Sequence, residues 1–206
     1  MNNKTKTYQI RRGGIEIDVS HNNSSITFVY GKFGPNKYAN VGLEIEQDGL
    51  AKPTMAETAS LIHPAFLDEQ GTEPEFSRIK ELMKNNWLLG FTGTLYVLNI
   101  GAYVQDNPEV RCGMPFMDES GLVQKLVAND PSVRFVPFGF KTEEMSALEL
   151  AKNPYIVALA GEEGADKLAQ IADKHKNKPH LGSFKSVNEP LTRVAALGSF
   201  RYDDDH

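Results

Sequence analysis

Residues 153–184 read NPYIVALAGEEGADKLAQIADKHKNKPHLGSF, and the fold turns on how this stretch is parsed. Residues 155–160 are apolar without alternation, as in a strand covered on both faces. Gly161, Glu162, Glu163 and Gly164 then read as a turn. Ala165, Leu168, Ala169 and Ala172 follow at i, i+3, i+4 and i+7, a helix face of mostly small residues that packs closely on a sheet. The chain returns to an extended segment at 180–184. The pattern predicts a strand, a turn and a helix, with the two glutamates completing the start of that helix. A phosphate-binding turn is not expected. It needs free backbone amides at a helix N-terminus, and here two carboxylates occupy the turn and repel an anion. The spacing also matches neither the dinucleotide fingerprint nor the P-loop.

Working outward from this unit, helix candidates at 120–128, 143–152 and 162–175 interleave with strand candidates at 133–138, 155–160 and 180–184. That is the rhythm of parallel α/β layering. The N-terminal half differs. Segments 8–12, 14–19, 25–30 and 41–46 alternate apolar and polar residues, with Gly13, Gly14, His21, Asn22 and Asn23 as turn chemistry, and predict an antiparallel meander. Ile15, Ile17 and Val19 share one face of it, as do Ile26 and Phe28. Two helices follow. Thr54 with Glu57, and Thr72 with Glu75 beside Pro74, read as capping boxes. The first helix is expected to end near His63 and Pro64, because a residue before proline avoids the helical region. The second is expected to stop around Asn85 and Asn86. Residues 91–98 and 102–105 read as a hairpin, and 108–119 as irregular.

The expectation is an α+β protein: an N-terminal antiparallel β meander with two helices, then a C-terminal alternating α/β layer. Residues 1–110 would form the β-rich half and 111–206 the alternating half, as one unit or two closely packed lobes.

The chain has 206 residues, of which 40% are hydrophobic and 24% charged, enough for a core and close to a globular average. A net charge of −5 and a pI near 5.6 give no general electrostatic reason to approach nucleic acid or an anionic membrane. Two short basic groups, Lys4, Lys6, Arg11 and Arg12 near Tyr8, and Lys32 and Lys37 near Phe33 and Tyr38, read as solvated surface. The N-terminus lacks the apolar core of a secretory signal, and the apolar run at 155–160 is far shorter than the roughly 20 residues a membrane span needs. A single cysteine, Cys112, excludes an internal disulfide framework. These readings together point to a cytoplasmic protein. The tail Asp203, Asp204, Asp205 and His206 reads as a solvated end.

Catalytic signatures are sparse. Glu57 and His63 offer acid–base groups without a zinc-helix signature, and Glu57 already has a capping role. Asp106 sits in a polar loop, and Cys112 lies beside Arg111, which would lower a thiol pKa. GxSxG is absent. His175 and His180 are surrounded by lysines that repel a cation, so no metal is expected, and no cofactor motif is present. The aromatic, glycine-rich stretch at 85–96 carries Trp87, Phe91 and Tyr96, which would line a pocket, with Asp106 and Arg111 converging on it.

The sequence thus points to a binding protein that acts through a protein partner or a small-molecule pocket within 87–111. The alternative is a hydrolase or transferase using Glu57, His63, Asp106 or Cys112 in the same region, which requires those groups to share one cleft. A homo-oligomer joined through the meander edge is a third reading.

Overall fold

The computed structural model describes residues 8–11, 16–29, 33–68, 71–86, 88–142, 144–175 and 190–197. In chain order they form β1 (Tyr8–Arg11), β2 (Glu16–His21), β3 (Ser24–Val29), α1 (Tyr38–Gln47), α2 (Met55–Leu67), α3 (Pro74–Asn85), β4 (Leu88–Val97) and β5 (Gly101–Asp106). The second half adds β6 (Val110–Arg111), β7 (Met114–Pro115), α4 (Glu119–Val127), β8 (Val133–Pro137), α5 (Ala147–Lys152), α6 (Pro154–Lys174) and β9 (Leu191–Leu197). The protein is α+β. The N-terminal meander is present, in the order β1-β2-β3, and Asn22 and Asn23 make its second turn at positive φ. A four-stranded sheet runs β8-β5-β4-β9, and β6 pairs with β7.

The quoted stretch folds differently from its expected parse. Residues 155–160 are the first turns of α6, not a strand. Asn153 caps the helix by accepting from the amides of Tyr155 and Ile156 at 3.0 and 3.4 Å. Pro154 occupies the first helical position, where its missing N–H costs nothing. The run is apolar all round because the helix is buried all round: Tyr155, Ile156, Leu159 and Ala160 pack in one cluster with Tyr96, Val104 and Val136 of the sheet. Gly161, at φ 70° and ψ 169°, kinks the helix instead of opening it. Gly164 lets it lie against α2, since a Cβ there would meet those of Ala160 and Ala59 at 2.9 and 3.6 Å.

Without the 155–160 strand, the parallel layering fails too. Every strand pairing among the described residues is antiparallel, and β4 takes its outer partner from β9, for which no strand was expected. The strand expected at 180–184 lies outside the described residues, as do Gly13, Gly14, Ile15, His180 and the acidic tail.

Three further boundaries move. Residues 41–46, read as a strand from Val41, Leu43 and Ile45, belong to α1. The buried positions there are Tyr38, Gly42 and Ile45, at helical spacing, while Leu43 is exposed. Helix α2 starts at its expected capping box but continues through Pro64 to Leu67. The lost hydrogen bond to residue 60 is tolerated because Ile62, His63, Pro64 and Ala65 are all buried. The second box does not form. Pro74 at the first helical position makes Glu73 the N-cap, and Thr72 instead donates to Asp68 at 3.3 Å. The hairpin β4–β5 and the strand β8 form close to their expected positions, and 110–115 fold into the small β6–β7 hairpin. No helix among the described residues is long and apolar enough to cross a membrane.

Candidate functional site

A cavity of about 980 Å³ opens between the meander, α1, α2, α3 and the start of β4. Its geometry begins with an irregularity in β4. Gly90 pairs with Ala195 and Gly93 with Val194, so Phe91 and Thr92 bulge out of the β4–β9 ladder. Bulges re-aim side chains. The Phe91 amide donates to the Pro53 carbonyl at 2.7 Å, and its own carbonyl accepts from Asn107 at 2.6 Å. Gly90 permits this approach of the α2 start, since a Cβ there would lie 2.8 Å from Met55 Cα.

The Phe91 ring meets Tyr38 at 4.9 Å between centroids, tilted by 37°, and Gly42 of α1 brings its backbone against the same ring. Ile26 and Phe28 of β3, Val41 and Ile45 of α1, Leu61 of α2, and Ile79, Leu82 and Met83 of α3 complete apolar walls. Burial pushes the Tyr38 phenol up to about 12, so it is a neutral hydroxyl near neutral pH. Glu57 borders the cleft with its carboxylate committed. It accepts from the Thr54 amide at 2.7 Å and the Thr54 hydroxyl at 3.0 Å. Arg78, at the rim, pairs with Glu81 at 2.8 Å.

The sequence candidates go to separate places. Phe91 lines the cleft. Trp87 lies outside the described residues. Tyr96 packs against Phe140 and Tyr155 in the cluster under α6, where burial first and the Tyr155 hydroxyl second push its phenol up. Asp106 pairs bidentately with Arg134 and accepts from Thr92 at 2.7 Å. Arg134 in turn donates to the Ala158 carbonyl at 2.8 Å, tying β5 and β8 to α6. Arg111 holds Glu109 through two 2.9 Å bonds and lies over the Phe116 ring at 3.6 Å. Cys112 is exposed in the β6–β7 turn at φ 51°.

His63 is buried with its Nε2 3.0 Å from Gln170, and burial pulls its pKa down. His175 sits over Phe66 and reaches the Phe66 carbonyl at 3.0 Å. Among the described residues no group of three or more His, Cys, Asp or Glu is placed to hold a metal. Of the basic groups, Lys4, Lys6, Arg12 and Lys32 lie outside the described residues, while Arg11 is bound to Glu16 and Asp18.

One polar cluster escaped sequence reasoning. Lys167, buried on α6, donates to the Ser20 carbonyl at 2.6 Å, to Ser60 Oγ at 2.9 Å and to Glu163. Its three protons are thereby used. His21 Nδ1 approaches the same Ser60 oxygen at 3.0 Å, and Glu163 also accepts from the Asn22 amide at 2.6 Å. Burial alone would raise the Glu163 carboxyl, but the Lys167 and Asn22 bonds outweigh it and hold its pKa below the ordinary value. Contrary to the expectation from the sequence, Glu163 does not complete a helix start. It clamps the β2–β3 turn to α6. The i, i+4 spacing of Glu163 and Lys167 was the available signal.

No protein-family model matches the sequence, and no curated protein matches it. The chain is similar to a solved structure described as "Accommodation of massive sequence variation in Nanoarchaeota by the C-type lectin fold", at 15% identity and a TM-score of 0.50, over 81% of this chain and 85% of that one. At that identity the likeness is one of fold: a C-type lectin-like arrangement of antiparallel sheets and helices, with the cleft beside β4 as its candidate site.

Proposed function

We propose that this protein binds an apolar small molecule in the cleft beside β4. The observation that carries the reading is the cavity itself, about 980 Å³ with predominantly apolar walls from strands of both sheets and from α1, α2 and α3. Ligand pockets run from roughly 300 to 1,000 Å³ and are mostly apolar with a few polar groups. The charged groups at its edge, Glu57 and Arg78, already have partners within the protein, so the walls select for shape and apolar surface. Phe91, expected to belong to a binding site, is part of the wall, whereas Tyr96, Asp106 and Arg111 support the scaffold elsewhere.

The test is binding of 1,6-diphenylhexatriene, a rod-shaped apolar fluorophore. At 100 times its dissociation constant a ligand stabilises the fold by about 2.7 kcal/mol, or roughly 5–10 °C in Tm for a chain of this size. Ala51 is exposed and lines the cleft mouth. Ala51→Trp is expected to block the probe without lowering Tm. Binding that survives Ala51→Trp, or no binding to the parent protein, would sink the reading.

A further inference from the structure

Four consecutive residues of β3, Ile26, Thr27, Phe28 and Val29, line the cleft. Alternation sends the Ile26 and Phe28 side chains to one face of the strand and those of Thr27 and Val29 to the other. A space bordered by all four therefore runs along the edge of the strand. That edge is the free one, because β3 pairs with β2 and with no other strand among the described residues. The turn at Asn22 and Asn23, both at positive φ, closes on His21 and Ser24 as a hydrogen-bonded pair. By alternation, Ile26 and Phe28 spend their backbone groups on β2, and Ser25, Thr27 and Val29 turn N–H and C=O outward. The Thr27 side chain is held on the outer face, where it donates to Asp18 at 2.5 Å.

Natural sheet edges carry charges, prolines or bulges that keep other strands away. The other outer strands of the two larger sheets do so: β8 holds Arg134 and Pro137, β9 holds Arg193 and β1 holds Arg11. Strand β3, Ser-Ser-Ile-Thr-Phe-Val, has no charge and no proline, and its register with β2 runs unbroken through six pairs. We infer that an extended segment of a partner protein adds to β3 as an antiparallel strand within the cleft. Donors and acceptors that recur every second residue, about 6.8 Å apart, are matched by another extended backbone and by no single polar group. Residues of the segment opposite Ile26 and Phe28 are apolar and share the cleft with Leu61, Ile79 and Met83. Those opposite Thr27 and Val29 are neutral and polar, since Arg11 already answers Glu16 and Asp18 on that face. The inference rests on the cleft being a ligand site and names the class of ligand that fills it.

The probe is the peptide acetyl-Thr-Leu-Thr-Leu-Thr-amide, titrated against the full chain directly and by displacement of diphenylhexatriene. In the antiparallel register its threonine amides point at β3 and its leucine amides point away. N-methylation of the central threonine is expected to weaken binding roughly tenfold or more, and N-methylation of the second leucine to leave it within about twofold. Thr27→Pro removes an outward N–H and no bond to β2, and should abolish peptide binding; a circular-dichroism melt confirms that it folds. If it does not fold, the methylated peptides decide the matter on the parent protein. Equal effects at both positions, no effect at either, or the reverse order overturn the antiparallel pairing. If diphenylhexatriene binds and the peptide does not, strand addition is overturned while the cleft stands. If neither binds, the cleft reading itself has failed. A dimer seen by light scattering without peptide, and dissolved by Thr27→Pro, would seat a second copy of this chain on the edge and overturn the partner segment.

Discussion

Strand β4 packs closely against α6 along one stretch and borders the cleft at its start. Towards α6, Thr94 and Tyr96 meet Tyr155, with Thr94 Oγ1 and the Tyr155 hydroxyl 3.1 Å apart. Alanines 158, 160, 165, 169 and 172 let the helix backbone come close. Towards α1, the bulged Phe91 meets a tyrosine ring and a short helix. Alanine faces leave no gap between layers. Large rings set at one point prop their elements apart, and the space beyond them is the cleft. The difference lies in side-chain size at the contact, since the strand is the same.

Truncation should expose that difference most strongly. Leu159→Ala, in the closed cluster under α6, is expected to cost about 2–5 kcal/mol, because a cavity remains where nothing can relax. Leu61→Ala, half-buried and already bordering open space, is expected to cost about 1 kcal/mol, the transfer term with little added cavity. Denaturant melts of the two variants decide it. Equal losses would mean that the cleft side is packed as tightly as the α6 side and that the comparison is false.

The packed side also contains the clamp on the meander. Lys167→Met leaves Glu163 and the Ser20 carbonyl without their cation. Because the Glu163 side chain is a third exposed, the loss is placed at about 2–3 kcal/mol, below the full penalty for a stranded buried charge. Adding Glu163→Gln should recover part of it, since the stranded charge is then gone. A double variant no better than the single would show that the lysine acts through its aliphatic stem.

What the sequence made legible follows these same contrasts. The α+β class, the meander and the β4–β5 hairpin were readable because alternation and turn residues are local signals: Asn22 and Asn23 tolerate positive φ, and Ile17 and Val19 are buried as their spacing requires. Residues 155–160 were not, because periodicity cannot separate a strand covered on both faces from a helix buried on all sides. The Asn153–Pro154 start was the signal that decided between them. Val41, Leu43 and Ile45 alternate as a strand would, yet tertiary packing selects Tyr38, Gly42 and Ile45. The cleft was legible only at Phe91. Its other walls come from β2, β3, α1, α2, α3 and β9, and no spacing in one chain announces that elements so far apart in sequence will leave a gap. Glu57, His63 and Asp106 are chemically suitable types, but they are held by Thr54, Gln170 and Arg134 respectively, and Cys112 is exposed in a turn apart from them.

The smallest expected effect concerns acid. His63 belongs to the packed α2–α6 contact, faces Gln170, and has Lys167 and Glu163 as its charged neighbours. Burial is the largest influence and lowers its pKa below the ordinary 6.5, with Lys167 acting in the same direction and Gln170 and Glu163 against it. A histidine with a depressed folded pKa binds its proton more readily when unfolded. Its neutral form therefore favours the fold fully above about pH 6.5, and that contribution is lost as pH falls through the unfolded value. Glu163, whose pKa is also depressed, acts in a lower window, below the ordinary 4.5 of a glutamate. Between pH 7.5 and 5.5 the Tm should thus fall by a few degrees through His63, and His63→Gln, which cannot charge, should flatten the slope. The affinity of the cleft for diphenylhexatriene should stay constant over the same range, because His63 lies on the other side of the structure's division between packed and open faces. A Tm slope unchanged by His63→Gln would place the titrating group elsewhere; probe affinity that follows the His63 titration would mean that the two faces are coupled through α2.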